Sequence, residues 1–167
     1  DAIIEINPRN ARAYLNRGIV YAHSGAAANA VADFTQAIKL ERGLHEAWTA
    51  RCGAHAQQGQ LTAAQADCEQ ALKLAPDNTE ALVNRGNLRQ IQSDLNGAFA
   101  DFSRAVTLAP HVATVWNNRG RLWLLKDDYE RALEDLNRAL ELDPKLVEVW
   151  DNRGRVWFSR GEYARGL

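Results

Sequence analysis

The sequence predicts an all-α fold, an α-solenoid built from repeated antiparallel helix hairpins. All four prolines of the 167-residue chain fall in one phase of a 34-residue period, at Pro8, Pro76, Pro110 and Pro144. Each period holds two stretches with helical periodicity, separated by a short stretch of helix-breaking residues. Periods of this length are typical of proteins that stack one structural unit many times.

The period divides the whole chain, 1–167, into one array. A partial repeat (1–10) is followed by four full repeats and a truncated one; their bounds are 11–44, 45–78, 79–112, 113–146 and 147–167. Places are numbered here from the first residue of each repeat. Between Pro8 and Pro76 the period predicts one more proline, at residue 42, where the chain has Arg42. Gly43 follows it, so a helix-breaking residue is still present. Because the chain starts and stops inside a repeat, we expect it to be a piece of a longer protein.

The first half of each repeat predicts an amphipathic helix, since places 4, 8 and 11 share one face. Place 4 is mostly aromatic and place 8 mostly glycine: Tyr14, Trp48, Leu82, Trp116 and Trp150, then Gly18, Cys52, Gly86, Gly120 and Gly154. The second half predicts another helix, with alanine at places 20 and 27 and larger residues at place 24. A short connection makes the two helices antiparallel. We expect places that sum to about 28 to face each other, so that small place 8 meets small place 20.

This pattern resembles the tetratricopeptide repeat (TPR) family, whose motif has these residue types at places 4, 8, 11, 20, 24, 27 and 32. The resemblance covers essentially the whole chain and implies a right-handed superhelix of helix hairpins. The second repeat departs most from the motif, with Cys52, His55 and Cys68 at signature places.

Two other places carry uniform charges. Place 7 is arginine in all five repeats, and place 23 is aspartate in all four that reach it: Arg17, Arg51, Arg85, Arg119 and Arg153; Asp33, Asp67, Asp101 and Asp135. Place 7 flanks the core face, and a partly buried guanidinium needs a partner. The sequence therefore predicts structural Arg–Asp ion pairs between first and second helices. The alternative is that these arginines bind an anionic ligand.

The opposite face of the first helix is polar. In the family, this face lines a concave groove that binds extended peptides, and asparagines at place 6 resemble the ladder of O-linked N-acetylglucosamine transferases. An asparagine amide can bond both the N–H and the C=O of a peptide. The candidate peptide-binding residues are Asn16, Asn84, Asn87, Asn117, Asn118, Arg121, Asn152 and Arg155. If a peptide binds, we expect its acidic or C-terminal carboxylate groups toward Arg121 and Arg155.

The leading interpretation is a protein–protein interaction scaffold that binds a peptide or extended segment on its concave face. One alternative is the substrate-recruiting region of a larger enzyme, such as a glycosyltransferase. Another is a self-assembling scaffold that associates through its cut repeat ends, where Trp150, Trp157 and Phe158 lie. The net charge of −1 gives no basis for nucleic-acid binding, and the short apolar runs do not predict membrane insertion.

The sequence favours no catalytic function. Its four histidines occupy unrelated places without metal-ligand spacing, and no phosphate-binding loop or nucleophile elbow is present. We therefore expect no enzyme activity, metal or cofactor. Separately, no signal peptide is visible, and we expect a cytoplasmic location. With places 8 and 24 predicted not to face each other, Cys52 and Cys68 are expected to be small buried hydrophobes without a disulfide.

Overall fold

The computed structural model describes residues 2–162, and these form ten α-helices and no strand. The partial repeat contributes α1, each full repeat contributes two helices, and the truncated repeat contributes α10. Gly166, which stands at place 20 of the truncated repeat, lies outside the described residues. The helices are α1 (Ala2–Ile6), α2 (Ala11–His23), α3 (Ala27–Leu40), α4 (His45–Gln57), α5 (Leu61–Leu74), α6 (Thr79–Ile91), α7 (Leu95–Leu108), α8 (Ala113–Leu125), α9 (Tyr129–Leu142) and α10 (Val147–Ser159).

The helices pack in consecutive pairs, which confirms the predicted all-α hairpin fold. The chain forms two compact units, 1–88 and 89–167, with the division inside α6. In the first unit, α2 packs on α3 and α4 on α5, and α3 also packs on α4. In the second unit, α8 packs on α9, and α10 contacts both. Each hairpin therefore shares its core with the next hairpin of its unit, as repeat proteins require.

Within a hairpin, place 8 faces place 24. A Cβ added to Gly18 would lie 2.6 Å from the Phe34 ring, and one added to Gly120 would lie 2.9 Å from Leu136 Cγ. The expected approach of Gly120 to place 20 is also present, because the Ala132 carbonyl oxygen would be 3.3 Å away. The glycine thus lets the larger place-24 side chain reach the backbone of the first helix.

This register overturns the expectation about the two cysteines. Cys52 and Cys68 form a disulfide whose Cα atoms lie 5.4 Å apart, within the usual range for such bonds. The expectation was wrong because it paired places whose numbers add up to about 28. In the structure, places 8 and 24, whose numbers add up to 32, face each other. Both residues are fully buried.

The turn between the two helices of a repeat uses a left-handed residue at place 15. The five residues there are Gly25, Gly59, Ser93, Asp127 and Gly161, with φ between 58° and 78°. Glycine adopts this conformation without steric cost, whereas serine and aspartate are strained in it. The turn geometry is thus kept even where the residue type varies.

In three connections between successive repeats, a tryptophan indole hydrogen-bonds to the end of the preceding repeat. The Nε1 atoms of Trp116 and Trp150 donate to the carbonyl oxygens of Pro110 and Pro144, over 2.9 and 3.0 Å. Trp48 donates in the same way to the carbonyl oxygen of Arg42, at 3.0 Å. The acceptor is a backbone atom, so the connection keeps its hydrogen bond where the proline is missing.

Candidate functional site

Three place-7 arginines lie against the place-23 aspartate of their own repeat. Arg17 donates from Nε and Nη2 to the two carboxylate oxygens of Asp33, at 2.7 and 2.8 Å. Arg51 with Asp67 and Arg119 with Asp135 have the same two-pronged geometry, at 2.7 to 2.8 Å. The aspartates are buried. Paired charge-assisted hydrogen bonds of this kind fix the orientation of both side chains.

The same arginines also lie over the aromatic rings of place 4. The guanidinium carbons of Arg51, Arg119 and Arg153 are 5.0, 5.1 and 4.2 Å from the ring centroids of the tryptophans three residues earlier. The guanidinium carbon of Arg17 lies 5.5 Å from the ring centroid of Tyr14. The hydrogen bonding of Arg17 to the Asp33 carboxylate is the main cause that raises the pKa of Arg17. A guanidinium held by a carboxylate and an aromatic ring is occupied by the chain itself, which favours the structural interpretation.

Residues at place 11 of two repeats also contact the place-23 aspartates, which the sequence pattern did not predict. Arg89 donates from Nη1 to Asp101 at 2.7 Å and to the Gly97 carbonyl oxygen at 3.1 Å. His55 Nδ1 lies 3.0 Å from the second oxygen of Asp67. The sequence feature that could have indicated these contacts is that place 11 holds histidine or arginine in these two repeats and an aromatic residue in the others. Among the other place-7 arginines, Arg85 is half-buried, and Arg153 is 3.5 Å from Asn137 Oδ1.

The candidate peptide-binding asparagines do not share one environment. Asn16 is exposed, whereas Asn84, Asn87 and Asn118 are half-buried. Asn117 and Asn152 are buried, and Asn152 Nδ2 donates to Asn117 Oδ1 at 2.9 Å. The last two amides therefore join α8 to α10, and their contact with a peptide stays a prediction.

Arg121 and Arg155 form a pair of cations at place 9 of the fourth and fifth repeats. Arg121 is half-buried and donates from Nη2 to Gln90 Oε1 at 2.9 Å, while Arg155 is exposed. The pKa of Arg121 is lowered, first by burial and then by repulsion from Arg155. The guanidinium remains charged, because arginine does not lose its proton in proteins. An anion beside the two side chains would relieve this repulsion.

The first unit holds a cavity of about 250 Å³, named here the Ala50 pocket. Its wall comes from small or apolar residues, including Ile19, Ala50 and Gly53, and its polar lining includes Glu80 and Asn84. Ala50 and Gly53 stand at places 6 and 9, which hold asparagine or arginine in the third and fourth repeats. The short side chains of the second repeat thus leave the space open.

The described residues show no cluster of three or more His, Cys, Asp or Glu side chains suited to a metal ion. Among the same residues, no helix has the length and apolar character needed to cross a membrane.

Comparison with known sequences identifies the repeat. Three family models, each described as a tetratricopeptide repeat, match residues 1–44, 45–78 and 113–146, together about two thirds of the chain. The chain belongs to the tetratricopeptide repeat family. No curated protein matches its sequence.

Solved structures, two of them described as TPR proteins, share this fold at low sequence identity. PilF from Pseudomonas aeruginosa is similar with a TM-score of 0.85 at 21% identity, over 96% of this chain and 74% of PilF. TTC0263, a thermophilic TPR protein of Thermus thermophilus, has a TM-score of 0.80 at 17% identity, over 93% and 86% of the two chains. YrrB, described as a TPR protein with an unusual peptide-binding site, has a TM-score of 0.74 at 19% identity, over 99% and 86%. The repeats and these similarities support a protein-interaction repeat scaffold.

Proposed function

We propose that this chain binds an extended peptide segment along the polar faces of α8 and α10, and that Arg121 and Arg155 bind an acidic group of that peptide. The observation that carries the proposal is the cationic pair itself. The charged Arg121 guanidinium is disfavoured by burial and by repulsion from Arg155, and perturbed groups of this kind are frequent at functional sites.

An amide on the same helix face supplies groups for a peptide backbone. Asn118 is half-buried on α8, three residues before Arg121, so the two side chains lie on neighbouring positions of one helix face. The Asn118 amide makes no hydrogen bond to another described side chain. Asn117 and Asn152, in contrast, position α10 and with it Arg155.

Peptide binding has a precedent on this fold, since YrrB is described as having a peptide-binding site. The precedent supports the kind of ligand and leaves its sequence open. The carboxylate preference follows only from the two arginines of this chain.

The test is a library of immobilised extended hexapeptides with acidic, neutral or basic residues at each position, each with a free or an amidated C-terminus. We expect acidic or free-carboxylate peptides to be selected. Arg155→Ala should weaken their binding about tenfold and reduce the dependence on salt concentration. Arg138→Ala is the matched control, because it removes one exposed charge from α9 of the same unit. Equal binding by the Arg155 and Arg138 variants would contradict the proposal.

A second measurement separates backbone contact from charge. Replacing Asn118 by alanine should weaken every bound peptide and keep the preference for acidic ones. The variant should unfold at the same urea concentration as the parent. Full affinity in this variant would remove the Asn118 amide from the proposed site.

Self-association is a second candidate, favoured by the exposed apolar side chains of α10. Val147, Trp150 and Phe158 are 73%, 48% and 68% exposed. Exposed apolar groups of this extent are typical of interaction surfaces. Light scattering over a range of protein concentrations tests it, and a monomer at the highest concentration would exclude it.

A further inference from the structure

The disulfide occupies the position at which other hairpins place a large apolar side chain. In the first repeat, the ring of Phe34 covers Gly18, and in the fourth repeat Leu136 covers Gly120. In the second repeat, the corresponding residues are Cys52 and Cys68, which are bonded to each other. A covalent bond thus stands where the other two hairpins use close packing.

The remainder of the second hairpin has a small core. The buried residues of α4 and α5 are Ala47, Thr49, Cys52, Ala54, Ala64, Asp67, Cys68, Ala71 and Leu72. Leu72 is the one large apolar side chain in this set. Gly53 lies inside α4, and neither helix has a side-chain N-cap, so the isolated helices are weak.

We propose that the Cys52–Cys68 bond is a redox-sensitive cross-link that controls how firmly α4 is held against α5. A low-molecular-weight thiol of the glutathione class is the reductant. Its thiolate attacks one sulfur and forms a mixed disulfide, releasing the other cysteine as a thiolate. A second thiolate of the same class then attacks the low-molecular-weight sulfur of the mixed disulfide and releases the remaining cysteine. Two molecules of thiol are oxidised to their disulfide, and Cys52 and Cys68 each gain one electron and one proton.

Reduction leaves the hairpin without an equivalent replacement. The bond closes a loop between two cysteines that are 16 positions apart. Reduction opens this loop and restores conformational freedom to the unfolded hairpin. The two thiols are also much smaller than the Phe34 ring that fills this position in the first repeat. The reduced hairpin keeps Leu72, small residues and the Arg51–Asp67 pair, together with Leu61 and Leu88, which pack in the cluster of the two cysteines.

The effect extends to the Ala50 pocket, because α4 forms much of its wall. Thr49, Ala50, Gly53 and Ala54 all line the cavity, and Gly53 follows Cys52 directly. A loosened α4 changes the shape of this pocket. The proposal concerns the first unit and is independent of the carboxylate site at Arg121.

The experiment compares the oxidised chain with the chain reduced by dithiothreitol, using hydrogen exchange read by mass spectrometry. In the reduced chain, peptides from 45–74 should lose protection, while peptides from 113–142 keep theirs. The melting temperature should fall by about 5–10 °C. Unchanged protection over 45–74 would overturn the proposal.

Two double variants act as controls. Cys52→Gly with Cys68→Phe restores the residue pair of the first repeat, and it should be stable and insensitive to dithiothreitol. Cys52→Ala with Cys68→Ala should show the low protection of the reduced chain with or without reductant. If this alanine variant instead matches the oxidised chain, the bond has no role in holding the hairpin.

A glutathione redox titration without denaturant separates a sensitive bond from a permanent one. We expect the folded chain to interconvert between disulfide and dithiol, as followed by alkylation of free thiols. The sulfurs are buried, so exchange requires local opening of this hairpin. A bond that resists reduction until the whole chain unfolds would contradict the proposal.

Discussion

The second and fourth repeats have the same hairpin but hold it together in different ways. In the fourth repeat, α8 and α9 bury six large aliphatic side chains: Val115, Leu122, Leu124, Leu133, Leu136 and Leu140. In the second repeat, α4 and α5 bury mostly alanine, together with the disulfide and Leu72. Both repeats keep the paired arginine and aspartate. The same hairpin therefore forms with few large apolar side chains in its core where a disulfide and an ion pair join its helices.

The largest expected effect comes from removing the aspartate of either pair. Asp135→Ala leaves Arg119 partly buried without its carboxylate, and we expect a loss of about 3 kcal/mol in the free energy of unfolding. Asp67→Ala should cost more, because Asp67 also contacts His55. Urea unfolding of both variants measures the difference.

A double-mutant cycle on Arg119 and Asp135 supplies the control for this prediction. The two side chains share two hydrogen bonds, so their coupling should be well above that of an exposed ion pair. Coupling near zero, with losses below about 1 kcal/mol, would show that the pairs behave as surface salt bridges.

An intermediate effect is expected from enlarging the place-8 glycine of the fourth repeat. Gly120→Leu forces a side chain against Leu136 and the Ala132 carbonyl, which should cost at least about 1–3 kcal/mol. Thermal unfolding checks this loss. Unchanged stability would mean that α8 and α9 separate easily, contrary to the dense packing of this repeat.

The smallest effect, of opposite sign, is expected from a glycine in the second repeat. Gly53→Ala places its Cβ 3.6 Å from Asn84 Nδ2, an ordinary contact, and removes a flexible residue from the interior of α4. We expect a gain of about 0.5–1 kcal/mol. Hydrogen exchange over 45–57 checks it, and a loss of protection there would show that Gly53 is needed for packing.

The sequence predicted the fold well because the period and the helix faces are properties of the chain itself. It did not predict the register of the hairpin. Places 20 and 24 are four residues apart and lie one turn apart on the same helix face, so face patterns alone cannot choose between them. The error over Cys52 and Cys68 follows from that ambiguity.

The candidate site was predictable only in part, for a similar reason. Asn118 and Asn152 both occupy place 6, but Asn152 is buried because Asn117 precedes it at place 5 of the neighbouring repeat. The other full repeats have Leu15, Thr49 and Val83 at place 5. The environment of this asparagine thus depends on a pair of repeats, which the residue pattern within one repeat does not show.

The indole bond between successive repeats bears on how the array unfolds. In a repeat protein, cooperativity depends on the coupling between nearest neighbours. Trp48, Trp116 and Trp150 each add a hydrogen bond to the end of the preceding repeat, whereas Leu82 has no donor at the same place. The boundary between the second and third repeats therefore lacks one coupling term that three other boundaries possess. Partial unfolding is expected to begin or stop at that boundary, near residue 78.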